Sequence, residues 1–463
     1  MRVSQLGIGS QSEYRLLLSH IPELFDANSS GLGEVHFLSE NDSVPSNRHG
    51  LIDPLNKGLG GLNSAFPSHD AAQLDWNLLR EDISLPAAVL YQDKLEHNLE
   101  WMRQFIAAYG MKLAPHGKTT MAPQLFAMQL KAGAWGITLA TAHQTIVAYA
   151  HGIRRVLMAN QLVGRQNMAG IAKLLRDPAF EFYCLVDSPE QIRQLGTYFS
   201  KLGLRLNVLL ELGVAGGRAG VRNDDQLEAV LTALARWRES IALCGVEIYE
   251  GVLQDESSIR AFLERAVAVT HKLVTEGHFQ QTPLLLSGAG SAWYDVVAEV
   301  FSAACFDCPV EVILRPGCYL THDVGAYREA QLRIMEHNPI ARRMHSGLVP
   351  ALQVWAYVQS VPETEKAIIA LGKRDAAFDS GFPVPALHFH PGIGYPQLAP
   401  AHWEVTKMMD QHAFLRIHPG DDLQVGDLIG FDICHPCLTF DKWRTLPVLN
   451  ADYQVVDIVQ TFF

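Results

Sequence analysis

Lys118 stands at the end of a short apolar run, just past Pro-His-Gly, in Leu113-Ala114-Pro115-His116-Gly117-Lys118-Thr119-Thr120. A lysine held near the mouth of a folded core has its pKa lowered by desolvation and attacks a carbonyl as a free amine. A Schiff base to pyridoxal phosphate (PLP) is the commonest use of such a lysine. Taken alone, the segment also reads as a surface lysine after a proline-containing turn.

Four further segments offer matching chemistry. Ser287-Gly288-Ala289-Gly290-Ser291 has glycines that let backbone N–H groups approach an anion, and Ser291 adds a hydroxyl. Arg315-Pro316-Gly317-Cys318-Tyr319 offers a tyrosine hydroxyl to complete the same phosphate pocket. In Glu211 to Gly220, Arg218 lies between glycines and can reach an oxyanion or phenolate, or stay solvated on a flexible loop. In Ile433-Cys434-His435-Pro436-Cys437, a strand would turn His435 and Cys437 to one side. An imidazole and a thiolate suit zinc better than manganese, and two protein ligands leave positions open for a Lewis acid's work. An isolated His-x-Cys also reads as ordinary packing at a strand end. His412 reads as a surface histidine, with a further metal ligand or a substrate contact as the alternative. Cys305, in Cys305-x-x-Cys308, reads as a helix core residue because no second cysteine pair stands at zinc-ribbon spacing.

The elements that must position these residues show as an alternation. Eight apolar, β-prone runs lie at Met111–Pro115, Gly136–Leu139, Val156–Ala159, Glu181–Val186, Leu206–Leu210, Leu243–Tyr249, Pro283–Leu286 and Val310–Leu314. They are too apolar for half-exposed strands and suit strands covered on both faces. Helical stretches such as Pro123–Ala132, Pro189–Leu202 and Asp225–Arg238 separate them. Asp93 is placed to cap the helix carrying Leu95, Leu99, Met102 and Ile106. The pattern predicts a (β/α)8 barrel of the TIM type within residues 85–345, with a doubly wound open sheet as the alternative. In a barrel, chemistry belongs at the C-terminal strand ends. Lys118, Asn160, Asp187, Arg218, Tyr249, Ser287 to Ser291 and Gly317 to Tyr319 fall there.

After about residue 346 the helical texture stops. Val354–Val361, Lys366–Ala370, Phe414–Ile417 and Asp427–Ile433 read as strands of a C-terminal β domain over 346–463. The run within 85–92 is expected to join it. Residues 1–84, rich in Gly, Ser, Asn and Asp, read as an irregular N-terminal extension.

Composition narrows the function classes. Among 463 residues, 48% are hydrophobic and 19% charged, as in a globular enzyme of two domains. A net charge of −12 leaves no basic footprint for nucleic acid. No apolar run is long enough to span a bilayer, and the N-terminus lacks a signal-peptide core. Seven scattered cysteines argue for a reducing compartment, with the cytoplasm as the expectation.

Together these segments resemble fold-type III PLP enzymes, the alanine racemase-like group, in its D-serine dehydratase and D-threonine aldolase branch. Pro115-His116-Gly117-Lys118-Thr119 resembles the branch's Pro-His-x-Lys-Thr, whose lysine carries PLP. Gly217-Arg218-Ala219-Gly220 resembles its Gly-Arg-x-Gly, whose arginine lies by the PLP phenolate. Gly245 to Gly251 with Tyr249 resembles an element beside the ring. Ser287, Gly288, Gly290 and Ser291 fall on its phosphate loop, and Gly317-x-Tyr319 on its second phosphate contact. His435-x-Cys437 resembles the dehydratases' zinc pair, where the aldolases more often show His-x-Asp. Trp76 to Asp82, Trp135 to Thr138 and Gly372 to Asp375 resemble an amino-acid deaminase subgroup. The long N-terminal extension and Ala289, where the loop often has glycine, depart from the dehydratases.

The resemblance implies a barrel plus β domain, a homodimer, and a PLP- and zinc-dependent dehydratase of D-3-hydroxy amino acids such as D-serine or D-threonine. The products would be a 2-oxo acid and ammonia. A metal-dependent D-threonine-type aldolase is the alternative, as is a non-catalytic PLP-binding protein.

Overall fold

The computed structural model describes residues 50–61 and 64–463. Eight parallel strands form one sheet: Lys112–Leu113, Ile137–Leu139, Arg155–Gln161, Glu181–Val186, Leu206–Leu212, Ile241–Ile248, Leu284–Gly288 and Val310–Leu314. They are taken below as barrel strands one to eight. Strand eight pairs with strand one. The ring closes between strands one and two, where Trp135 N–H donates to Leu113 O at 2.7 Å and Thr138 N–H to Pro115 O at 2.9 Å. His116 and Thr138 form the bridge itself. The sheet is therefore a closed barrel, and the open-sheet alternative falls.

The apolar runs have a simple cause. Alternate residues of a strand face opposite ways. Along strand four, Phe182, Cys184 and Val186 pack into the large outer core with the helices, whereas Tyr183 and Leu185 fill the barrel interior. Ala114, Leu157, Leu209, Ala242, Leu285 and Ile313 complete that interior. Both faces are dry, so polar alternation is lost.

The helices follow their local signals. Ser188 accepts from Gln191 N–H and Pro189 opens the helix Pro189–Lys201, which buries Ile192, Leu195 and Phe199 on one stripe. Asn223 and Asp255 cap Asp224–Arg236 and Glu256–Thr275 in the same way. Asp93 does not act as a cap. The helix Gln92–Ala108 starts two residues earlier than a cap at Asp93 would set it, with Tyr91 at the cap position and no capping side chain, so Asp93 lies in the first turn. There its charge still suits the helix dipole.

The β domain is antiparallel except where Ala87–Tyr91 pairs parallel with Thr445–Leu449. Its long strand Leu352–Glu363 pairs with Lys366–Ile369, with Leu428–Asp432 and with Ala87–Tyr91, Leu90 lying opposite Leu352. Strands Val384–Phe389, Glu404–Met408, Thr445–Leu449 and Val455–Gln460 were not legible in the sequence. Residues 50–84 contain short elements, Leu51–Ile52, Phe66–Pro67 and two 3-10 turns. Ile52, Leu59, Trp76, Leu78 and Ile83 share a core with Trp355, Leu449 and Ile458, so this part of the extension is docked on the β domain. The rest of the extension lies outside the described residues. Among those described, no helix is long and apolar enough to cross a membrane.

Candidate active site

A cavity of about 520 Å³ opens at the C-terminal ends of the barrel strands, against the β domain. Asn160, near the end of strand three, and Lys118, Arg218, Tyr249, Gly290 and Gly317, each past the end of a different strand, line it. This is where a barrel's loops converge.

Lys118 sits in the 3-10 turn Gly117–Thr119. Glycine is required beside it, because a Cβ at Gly117 would lie 2.7 Å from the Phe126 ring. At Gly317 a Cβ would meet His116 O at 2.6 Å, so the turns after strands one and eight approach only through glycine. Lys118 is exposed toward the open cavity, and protein atoms alone do not desolvate it as the sequence suggested. Its neighbour His116 is pushed well below the usual imidazole range, by burial and then by the charges of Lys118, Arg315 and Arg218. Its Nδ1 is buried without a partner.

Arg218 is half-exposed, its guanidinium 4.7 Å from the Tyr249 ring centre and 3.7 Å from the Glu211 carboxylate. Burial, with the nearby charge of Glu247, raises the Glu211 carboxyl to about 7. Ser291 Oγ accepts from Gly317 N–H at 3.2 Å and Cys318 N–H at 3.1 Å, which leaves its own proton for a ligand. A Cβ at Gly290 would stand 3.1 Å from the Tyr249 ring.

Several expected residues lie elsewhere. Ser287 and Gly288 belong to strand seven itself and not to the loop, and Ser287 Oγ bonds Ile313 O and Arg315 Nε in the barrel wall. Tyr319 faces away from the cavity and takes a bond from Gln129 at 3.1 Å. Asp187 holds the Gly220 N–H at 2.9 Å, outside the cavity wall. Glu250 was missed: its buried carboxylate accepts from Gly290 N–H at 2.6 Å and Ala289 N–H at 3.2 Å. Nothing in Tyr249-Glu250-Gly251 marks a buried acid. Tyr327 also lines the cavity without a sequence signal.

His435 and Cys437 reach the cavity from the β domain. Contrary to the expectation from sequence, they are not on a strand. The strand ends at Asp432, Pro436 takes helical backbone angles, and Cys437 begins the short helix Cys437–Phe440. The turn nevertheless leaves the two side chains in hydrogen-bond contact. His435 Nδ1 lies 2.8 Å from Asp379 Oδ2. Cys437 Sγ lies 3.6 Å from Cys318 Sγ and 3.4 Å from Thr119 Oγ1. The Cys318 thiol, with His435 and Thr119, holds Cys437 well below the usual thiol range against the opposing effect of burial. A thiolate beside an imidazole is a donor pair fit for zinc. His412 is exposed in a turn. Cys305 is exposed beyond the helix end at Ala303, because Ala304 is already extended, and so it is not a helix core residue.

The cavity fits PLP on these observations: a lysine amine facing open space, an arginine over a tyrosine ring, a serine hydroxyl at a glycine-lined turn, and a cradle that a Cβ at Gly290 or Gly317 would fill. A closed parallel barrel with this cavity and an antiparallel β domain defines the class of PLP-dependent barrel enzymes.

Comparison with known proteins agrees. Residues 90–320 match the family "Alanine racemase, N-terminal domain", and residues 351–449 match the "Putative serine dehydratase domain". The chain belongs to the fold-type III, alanine racemase-like family of PLP-dependent enzymes. It is 25% identical to a D-threonine aldolase from Arthrobacter sp. over 344 residues, 73% of this chain and 81% of that one. It is 29% identical to the D-threo-3-hydroxyaspartate dehydratase of Delftia sp. (strain HT23) over 143 residues, 31% of this chain and 37% of that one. The crystal structure of D-threonine aldolase from Filomicrobium marinum is similar with a TM-score of 0.69 at 22% identity, covering 84% of this chain and 97% of that one. The Delftia dehydratase is similar with a TM-score of 0.64 at 21% identity, covering 83% and 99%.

Proposed function

We propose that this PLP-dependent lyase is a zinc-requiring dehydratase of D-3-hydroxy amino acids such as D-serine or D-threonine, releasing a 2-oxo acid and ammonia. The observation that carries the reading is the meeting, in one cavity, of Lys118 from the barrel with His435 and Cys437 from the β domain. When bound, PLP supplies an electron sink for charge developing at Cα, and zinc supplies a Lewis acid for the β-hydroxyl.

The chain's own residues do the rest. Lys118 Nζ would hold the cofactor and, once the substrate amine had replaced it, would be free to take the Cα proton. The Ser291 hydroxyl, at the turns that Gly290 and Gly317 keep open, would take the phosphate, and Arg218 and Tyr249 would stand beside the ring. His435, oriented by Asp379, and Cys437 would hold the metal. Solved structures of the dehydratase relative include a His-to-Ala variant and, two positions further on, a Cys-to-Ala variant in the metal-free form. That spacing is the spacing of His435 and Cys437. Hydroxide is a poor leaving group at neutral pH, so a Lewis acid at Cβ has a defined task. Water leaves across Cα–Cβ, and hydrolysis of the resulting enamine yields the 2-oxo acid and ammonia.

A retro-aldol cleavage of Cα–Cβ is the second reading, favoured by the length of the match to the Arthrobacter aldolase. Cys437, where the aldolases more often show aspartate, favours dehydration.

The deciding experiment incubates a panel of D- and L-3-hydroxy amino acids with and without a chelator, and measures 2-oxo acid and aldehyde. Oxo acid from D-substrates alone, lost on chelation and restored by zinc, is the expected result. Glycine plus aldehyde would move the protein to the aldolases.

A further inference from the structure

Two histidines and a buried aspartate meet in the β domain, well away from the cavity. His388 and His390 stand two apart at the end of strand Val384–Phe389, and so face one side. The antiparallel register sets Phe389 opposite Leu428, which brings Asp427 alongside them. His388 Nε2 lies 2.9 Å from Asp427 Oδ2, and His390 Nδ1 lies 2.8 Å from Asp427 Oδ1. The candidate donor atoms all fall within 4.8 Å of one another. Asp427 directly precedes strand Leu428–Asp432, whose far end leads to His435, so extended backbone separates this cluster from the cavity by on the order of 20 Å.

Charge argues that the cluster holds something positive. The Asp427 side chain is 1% exposed, and that of its neighbour Asp422 is 92% exposed. Asp422 Oδ2 lies 3.3 Å from His390 Nε2. Among the described residues, neither carboxylate has a lysine or arginine partner. Two carboxylates, one of them buried, thus face the histidines, and a buried carboxylate is costly unless paired or coordinated. A dication cancels both.

We propose that His388 Nε2, His390 Nδ1 and the Asp427 carboxylate form a second divalent-metal site, for zinc or a similar first-row ion, that clamps strand Val384–Phe389 to the turn at Gln424–Asp427. Zinc takes such nitrogen and oxygen donors at about 2.0–2.2 Å, which sets donors roughly 3.3 Å apart, close to the two His–Asp spacings. The outer shell is in place. Asp422 sits on the free nitrogen of His390, the carboxylate–histidine–metal arrangement that fixes the imidazole tautomer. Gln424 N–H donates to Asp427 Oδ2 at 2.9 Å. Trp403 packs edge-on to His388 with ring centres 5.1 Å apart, and its indole N–H is fixed by Asp421 at 2.8 Å. The imidazoles are 11% and 18% exposed, which leaves a water position. The proposal stands on residues that the proposed reaction does not use.

The test is Co2+ titration of the full-length, PLP-loaded protein. Wild type is expected to bind two equivalents, one of them with a sulfur-to-cobalt charge-transfer band from Cys437. The variant Cys437→Ala loses that band and still binds one equivalent, seen by its d–d bands and by a rise in Tm. Adding His388→Gln and His390→Gln abolishes this binding, whereas the same pair in wild type leaves the sulfur band intact. If the histidine variants do not fold, Asp427→Asn serves instead. Absence of Co2+ binding by Cys437→Ala, or unchanged stoichiometry in the histidine pair, overturns the proposal. Failure of the catalytic metal reading alone would show as a missing sulfur band with the d–d signal retained.

Discussion

Arg315 and Glu247 form an ion pair in the cavity floor, with side chains 4% and 0% exposed. The guanidinium also reaches Ser287 Oγ and Ile248 O, both at 3.0 Å. The arginine after strand eight is thus committed to strands six and seven, and shapes the floor on which a phosphate would rest. Removing one partner leaves the other charge buried and alone. Arg315→Met is expected to cost about 3–5 kcal/mol in urea unfolding. The double variant Arg315→Met/Glu247→Met should recover part of that loss. A strictly additive double variant would show that the pair is not coupled.

Lys118 faces open cavity, so its removal should spare the fold. Lys118→Ala is expected to lose the visible absorbance of bound PLP and all turnover, while stability stays within about 0.5 kcal/mol of wild type. A variant that kept both absorbance and turnover would remove Lys118 from the mechanism.

Ala289 has φ of 77°, a left-handed conformation that costs a residue with a Cβ. Glu250 holds its N–H in that position. Ala289→Gly is therefore expected to stabilise the protein by about 0.5–1 kcal/mol and to leave PLP affinity unchanged. Thermal unfolding of the two proteins side by side checks this.

Glu211 is buried, and its carboxyl is raised from 4.5 to about 7, chiefly by loss of water. A raised folded-state value means that the native state binds more protons than the unfolded one, so stability falls as pH rises. Its contribution is full below about 4.5 and is lost as pH passes through about 7. Glu211→Gln removes this dependence and should gain on the order of 1–3 kcal/mol relative to wild type at pH 8 over pH 5. Equal differences at both pH values would show that Glu211 is not the group responsible.

The barrel was legible because its signal is local. Each apolar run must be dry on both faces, and that demand is written into consecutive residues. The β domain was only half legible. Its strands Val384–Phe389 and Glu404–Met408 are short and partly exposed, with His388, Glu404 and Lys407 among their residues, so no run of apolar side chains marks them. Pro385 inside the first of these broke its pattern further, and Pro447 hid Thr445–Leu449. The glycine loops and Lys118 announced a site by type and by position after strands. Ser287 and Tyr319 misled for a related reason: a strand boundary off by two residues, or a turn of one residue, exchanges cavity for wall.

By itself, the sequence determined the alternation of strand and helix, the class of barrel, and the placing of a lysine, glycine turns and a His-x-Cys pair where a barrel gathers its site. These follow from backbone preference and burial over a few residues. The tertiary structure alone decided that Cys437 stands beside Cys318 and Thr119, that Glu250 takes the N–H groups of Ala289 and Gly290, and that Asp427 joins His388 and His390. Those partners are tens to hundreds of residues apart, and which side chains meet across such distances is set by how whole strands and domains pack, a quantity no local pattern contains.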